Sequence, residues 1–288
     1  EPLTQTLMCS AVLQTHAPAA LQAAWLPRMA AGEAIVVLAY QERAARYHLN
    51  RCAAQASESG GAWTVSGTKS LVAVGDQADA FVVPATVNGQ IALFLVERSA
   101  SGVSTQAYGT QDGSRAAEVV LNKAPAQLIT LNGLTALEEA VDIGIACTCA
   151  EAVGVMDKTL AITVDYMNTR KQFGVNIASF QALRHRVADM KMQLELGRSM
   201  SYYASLKLHA PADERRRALA RAKYQLGVSM RFIGQQAVQL HGGIAVTDEY
   251  IASHYFKKLT QLDMNFGDTL HQLGEVSARM QETAGVFA

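Results

Sequence analysis

Two short runs carry residue types that could do chemistry: Arg170-Lys171-Gln172-Phe173-Gly174 and Gln239-Leu240-His241-Gly242-Gly243. The first sets a permanent cation three residues before an aromatic ring at the end of a proline-free helical stretch. Its glycine stands where a left-handed terminator belongs. The second also ends a helix, with two glycines that leave bare peptide where a flat ligand or another chain can come close. Together they read as contact points for a phosphate-bearing cofactor. The bland alternative makes Arg170 a helix-terminal charge facing the dipole and His241-Gly242-Gly243 an ordinary C-cap.

The elements that must hold these runs are readable from the hydrophobic period. Leu7, Leu13, Leu21 and Trp25 recur at helical spacing in residues 1–33, broken at His16-Ala17-Pro18 into two short helices. From Ala34 the pattern turns to short apolar runs: Ala34–Tyr40, Ala62–Gly67, Phe81–Val83, Ile91–Val96 and Glu118–Leu121. Asn88-Gly89 is the pair a tight hairpin prefers. Residues 34–126 therefore predict a small antiparallel β domain, and the lack of helical crossovers argues against a dinucleotide-binding parallel sheet. Residues 127–288 are helical, with helices predicted over about 137–170, 178–208, 211–241 and 250–284, the last interrupted at Gly267. Pro211 suits a first helical turn, and Leu183, Val187, Met190 and Leu194 mark a core stripe. The fold class is α+β multidomain: a helical piece, an antiparallel β domain and a C-terminal four-helix bundle.

Composition removes several function classes. Lys plus Arg number 25 and Asp plus Glu number 25, a balance that gives no field for nucleic acid or an anionic membrane. No run of about 18 apolar residues offers a membrane span, and no leader pattern precedes the first helix. The four cysteines, at 9, 52, 147 and 149, are too irregular for a disulfide framework, so a reducing, cytoplasmic setting is expected. Cys147 and Cys149 point to different faces of one helix and read as core residues. His241, His254 and His271 share no ligand spacing, and no metal is expected.

The extended strings TRKQFGVNIASFQALRHRVADM, from Thr169 to Met190, and AVQLHGGIAVTDEY, from Ala237 to Tyr250, resemble the C-terminal half of the acyl-CoA dehydrogenase family. The order of helical piece, β domain and bundle matches that family over nearly the whole chain. Residues 1–33 resemble the end of its N-terminal helical domain, whose earlier helices have no counterpart in this sequence. The resemblance implies FAD, held between β domain and bundle with its nucleotide end reaching a neighbouring subunit, and α,β-desaturation of an acyl-CoA thioester. It assigns Arg170 to the FAD diphosphate, Phe173 to packing on the cofactor, and Gln181, Gln239, Gly242 and Gly243 to that same end. Asp142 aligns with an aspartate lining the substrate site; a solvated charge near a helix start is the alternative.

The flavin-ring end departs from the family pattern. Where typical members carry Thr-Glu-Pro-Gly-Ala-Gly-Ser-Asp, this chain has Gln41-Glu42-Arg43-Ala44-Ala45-Arg46-Tyr47-His48. Where they carry Trp-Ile-Thr, it has Leu71-Val72-Ala73, which supplies no hydroxyl. The place of the catalytic glutamate falls on Phe266, before Gly267, and the place used by other members falls on Gly144. No residue is therefore assigned as the base. His254–Leu259 and Phe266-Gly267-Asp268 resemble the small subunits of bacterial heteromeric enzymes acting on dicarboxylic or steroid side-chain CoA esters. That resemblance implies a base-less partner completing the FAD site of a homologous catalytic subunit in a tetramer, with an electron-transferring flavoprotein as redox partner by family analogy. The alternatives are an active homotetramer using Asp142, Asp263 or Asp268, and a flavin-free assembly protein.

Overall fold

The computed structural model describes residues 2–284, with side chains to position 280. The chain divides into two compact units, residues 1–144 and 145–288. In the first unit, α1 (Leu3–His16) and α2 (Ala19–Ala30) are separated at Ala17-Pro18, as the break in the apolar pattern predicts. Met8, Cys9, Val12 and Leu13 turn inward from α1, with Leu21, Trp25 and Met29 from α2. Leu7 does not join them. It is 43% exposed, because the buried stripe of α1 runs through its neighbour Met8.

Seven strands follow: β1 (Val36–Leu38), β2 (Gln55–Ser59), β3 (Ala62–Ala73), β4 (Ala80–Val87), β5 (Gln90–Glu97), β6 (Val103–Gly109) and β7 (Arg115–Thr130). The path β4-β2-β3-β7-β5 returns to β4, so the sheet closes on itself in a barrel-like form, with β6 hydrogen-bonded to β7. Pairing is antiparallel except where β1 runs parallel to β4 and where Gln55 meets Thr86. Closure leaves few free strand edges and points one face of every central strand inward. Phe81, Phe94, Val83, Val96 and Val119 fill that interior at 0% exposure. Each such aromatic or branched side chain contributes roughly 1.5–3 kcal/mol by leaving water. Asn88-Gly89 forms the two-residue β4–β5 turn, with φ of 49° and 82°.

Helix α3 (Gly133–Thr169) starts in the first unit and continues into the second. There it is followed by α4 (Gln181–Lys207), α5 (Ala212–His241), α6 (Ile251–Met264) and α7 (Thr269–Ala284). Met190 and Leu194 of α4 are fully buried, while Leu183 and Val187, nearer its start, are half-buried. Pro211 stands one position before α5, with ψ of 149°, so it caps the helix rather than opening its first turn. Helices α4, α6 and α7 all pack on α5, which makes α5 the centre of the bundle. A break at Asn265–Asp268 separates α6 from α7, as Gly267 led us to expect.

Candidate functional site

In the second unit, the chain leaves α3 through a hairpin that sequence reasoning did not foresee. Two-residue strands β8 (Lys171–Gln172) and β9 (Val175–Asn176) pair across a two-residue loop, Phe173-Gly174. Both loop residues have positive φ, 54° and 80°. That is the geometry of a type I′ turn, which asks for Asn-Gly or Gly-Gly. Gly174 is thus the second turn residue and not a helix terminator, because the helix has already ended at Thr169. The peptide N–H of Ile177 donates to the Arg170 carbonyl at 2.9 Å and clamps the base of the loop. A 3₁₀ turn, Ile177–Ser179, then leads into α4.

The hairpin displays side chains to solvent. Phe173 is 90% exposed, its ring edge-on to Phe180 at a centroid distance of 6.2 Å. Arg170 is exposed, and among the described residues no carboxylate pairs with its guanidinium. Gln181, the first residue of α4, is exposed as well.

The end of α5 lies at this same end of the unit. The Tyr166 ring, one turn before Arg170, rests 4.5 Å from the His241 ring, and Tyr250 covers both. His241 is buried, its Nδ1 hydrogen-bonded to the Ala237 carbonyl, and burial pushes its pKa down, so the ring is a neutral packing element. Gln239 is exposed. Gly242 adopts φ 66° and ψ −145°, a conformation reserved for glycine, whereas Gly243 has no such requirement. A Cβ at either position would meet nothing within 4 Å, so the peptide is open to an approaching group. The structure therefore places Arg170 one turn beyond Tyr166, whose ring meets His241 beside Gln239, Gly242 and Gly243, while Phe173 lies at the hairpin tip and Gln181 opens α4.

The break between α6 and α7 carries Phe266 and Gly267 at φ 56° and 105°. Lys223, fully buried on α5, donates to the carbonyls of Asp263 at 2.8 Å and Gly267 at 3.2 Å. Gln272 Nε2 donates to the Phe266 carbonyl at 2.9 Å. Both nearby aspartates are engaged: Asp263 accepts from the Thr269 hydroxyl at 2.7 Å and faces Arg231 at 3.8 Å, and Asp268 accepts from the His271 peptide N–H as the cap of α7. Burial pushes the Lys223 pKa down, with Asp263, Cys149 and Asp268 acting against it.

In the first unit, the loop after β1 is anchored by Glu42. Its carboxylate accepts from the peptide N–H groups of Ala53 and Ala54, at 2.7 and 3.1 Å, and from Lys69 Nζ at 2.6 Å. Lys69 is 0% exposed and Glu42 8%. Burial raises the Glu42 carboxyl, but Lys69 and the two amides outweigh it and hold it below the usual carboxylate value. Just beyond Lys69, β3 slips register against β7 between Lys69 and Val72. This bulge puts Leu71 at φ 54° with 55% of it exposed, while Val72 turns inward at 2%. The Leu71 peptide N–H donates to the Tyr108 hydroxyl at 3.1 Å. Asp142, on α3, is 1% exposed, which removes the solvated alternative for it.

All four cysteines are free thiols. Among the described residues no group of three or more His, Cys, Asp or Glu is disposed to hold a metal ion, and no helix is long and apolar enough to cross a membrane.

Residues 132–280 match the profile described as "Acyl-CoA dehydrogenase, C-terminal domain". The acyl-CoA dehydrogenase FadE27 of Mycobacterium tuberculosis is 26% identical over 294 residues, covering 98% of this chain and 76% of its own length. The acyl-CoA dehydrogenase IpdE2 of the same organism is 37% identical over 122 residues, 41% of this chain and 36% of that protein. Among solved structures, the ChsE4-ChsE5 complex from Mycobacterium tuberculosis superposes with a TM-score of 0.88 at 25% identity, covering 98% of this chain and 76% of the matched one. A variant of the Tcur3481-Tcur3483 steroid ACAD gives 0.89 at 27%, covering 98% and 77%. The chain thus spans about three quarters of some relatives and little more than a third of another.

Proposed function

Because the chain belongs to the acyl-CoA dehydrogenase family, we propose that it is a base-less subunit which completes the FAD site of a homologous catalytic subunit in the α,β-desaturation of an acyl-CoA thioester. The observation that carries this reading is an asymmetry between two ends of the family's machinery. At the nucleotide end, an exposed guanidinium and a 90% exposed ring are presented on a strained turn beside open glycine peptide. At the place of the base stands Phe266, and the flanking carboxylates of Asp263 and Asp268 are spent on Thr269 and the α7 cap.

These residues fit one half of the cofactor and not the other. Arg170 suits a diphosphate, since it never titrates and offers a planar fork of donors. Phe173 supplies a stacking face, Gln181 and Gln239 supply amide hydrogen bonds, and Gly242-Gly243 let peptide N–H groups approach. FAD, when bound, supplies the acceptor for the hydride leaving the β carbon. The residues at the ring end of this chain do not suit it: Leu71 projects an aliphatic side chain where a stacking ring is expected, Val72 is buried, and Ala73 stands where a hydroxyl is expected. Abstraction of the weakly acidic α proton needs a positioned carboxylate, which the partner subunit contributes. Asp142 lines the substrate side by family resemblance. The ChsE4-ChsE5 complex, itself an assembly of two named components, supports a heteromeric arrangement. An electron-transferring flavoprotein is the redox partner that the family implies.

The test is purification of the chain alone and together with the acyl-CoA dehydrogenase homologue encoded beside it. The expected result is no stoichiometric flavin and no turnover alone, with both present in the co-purified complex. Flavin and full turnover by the isolated chain reject the reading. A complex that carries no flavin under any condition favours an assembly role instead.

A further inference from the structure

The Glu42 anchor in the first unit brings a thiol to a buried amine. Cys52 Sγ lies 3.6 Å from Lys69 Nζ and 3.5 Å from Glu42 Oε1, and its other neighbours are the carbonyl oxygens of Pro84 at 3.3 Å and Ala54 at 3.7 Å. Lys69 is completely enclosed, and its Nζ, Glu42 Oε1 and Cys52 Sγ form a close triangle, each atom in contact with the other two. Cys52 is half-buried and within reach of a small oxidant, whereas Cys9 and Cys149 are both 0% exposed.

We propose that Cys52 and Lys69 close, on oxidation, into a side-chain cross-link bridged by a single oxygen atom. The separation suits it: a nitrogen and a sulfur already in van der Waals contact need only a small approach to share one bridging oxygen, and a larger one to bond directly. Dioxygen is the oxidant. One of its atoms is inserted between Sγ and Nζ; the other leaves as water with the thiol hydrogen and one amine hydrogen. The S–H, one N–H and the O–O bond break, while S–O, N–O and the two O–H bonds of water form. Sulfur and nitrogen each give up two electrons, and dioxygen takes the four. Lys69 must enter as the neutral amine, and Glu42 Oε1, 2.6 Å away, accepts its ammonium proton. With hydrogen peroxide the same link needs two equivalents and releases three waters. Reduction by two equivalents of a dithiol, which supply the four electrons and four hydrogens, restores thiol and amine and releases the bridging oxygen as water.

The link would tie the loop that follows β1 to β3 two residues before the Leu71 bulge, closing an 18-residue stretch that already folds as the β2–β3 hairpin. Burial pushes the Cys52 thiol up, so the reactive thiolate is scarce. The site is thus a slow oxidative lock, unlike a fast peroxide sensor. It is independent of the flavin reading above.

The experiment exposes the purified full chain to air or dilute hydrogen peroxide, digests it with trypsin without reductant, and maps peptides by mass spectrometry. Cys52 and Lys69 bound a single tryptic peptide, so the expected product is the internally bridged peptide of residues 52–98, uncut at Lys69, with the mass of that sequence plus one oxygen less two hydrogens. Cleavage after Lys69 disappears, and dithiothreitol restores both. The thermal midpoint rises on oxidation and falls back on reduction. Cys52→Ser, which leaves the Glu42–Lys69 pair intact, loses the product, and so does Lys69→Arg. Sulfenic or sulfinic acid on Cys52 with Lys69 still cleavable overturns the proposal. So does a product lacking two hydrogens but carrying no oxygen, or an unmodified pair after prolonged oxidation.

Discussion

Replacing Phe173 with asparagine separates what the turn needs from what the ring is kept for. The chain holds its own comparison: Asn88-Gly89 in the β4–β5 turn has φ of 49° and 82°, nearly the values of Phe173-Gly174 at 54° and 80°. An L-residue other than Gly, Asn or Asp in the left-handed region costs about 1–2 kcal/mol, and asparagine recovers part of that. The loss on the other side is small. Phe173 is 90% exposed, so its burial contributes about a tenth of the roughly 3 kcal/mol that full burial would give. The edge contact with Phe180 adds about 0.5 kcal/mol at such an exposed site. Phe173→Asn should therefore leave the isolated chain unchanged or up to about 1 kcal/mol more stable. Two assays read this out: urea denaturation, and amide exchange at Ile177, whose N–H closes the hairpin onto Arg170. The same substitution should lower flavin retention of the assembled complex by about tenfold, the equivalent of one lost stacking contact of about 1.4 kcal/mol. A loss of more than about 1 kcal/mol in the isolated chain would mean the ring is a packing residue. That result, or unchanged flavin retention in the complex, refutes the reasoning.

Other outcomes follow from the same geometry. Gly67→Ala, at φ 154°, would set its Cβ 2.6 Å from the Ala54 Cβ and 2.8 Å from the Ala54 Cα; the backbone cannot yield cheaply, and a loss of about 3 kcal/mol is expected in a denaturant titration. Glu42→Ala leaves Lys69 charged and enclosed, which costs about 3–5 kcal/mol by the same assay. Acid should weaken the first unit through Glu42: its folded pKa lies below the ordinary 4.5, so the stability it contributes is complete above that value and is lost as pH falls through the folded pKa. Glu42→Gln should abolish that part of the acid limb in a stability-versus-pH profile. Lys223→Met strands the carbonyls of Asp263 and Gly267, and a loss of about 2–4 kcal/mol with faster amide exchange in α7 is expected.

How much was legible depended on whether a segment announces itself locally. The apolar runs of β4 and β5, the Asn88-Gly89 turn and the long helices were all readable because their burial imposes a period. Strands β2 and β6 were not. Gln55–Ser59 is almost wholly exposed, and Val103–Gly109 alternates without a strong apolar face, so their pairing partners define them. The parallel seat of β1 beside β4 is a long-range choice of the same kind. The hairpin at Phe173 was invisible for the opposite reason: phenylalanine is a poor residue for its conformation, and only the neighbouring strands reveal it. Of the candidate site, Arg170, Gln181 and Gln239 are exposed, a burial state that their polarity alone foretells. The structural work of Asp263 and Asp268 depends on Thr269 and His271 adopting a helix start that the sequence hints at only through Gly267.

The bend between α6 and α7 is drawn by residues outside it. The carbonyls of Asp263, Phe266 and Gly267 are each held by Lys223 or Gln272, and Asp268 fixes the restart of the helix. The scaffold therefore dictates where the main chain runs through position 266, and inheritance is free to vary the group mounted there. A change of side chain at that mount asks for no redesign of its support.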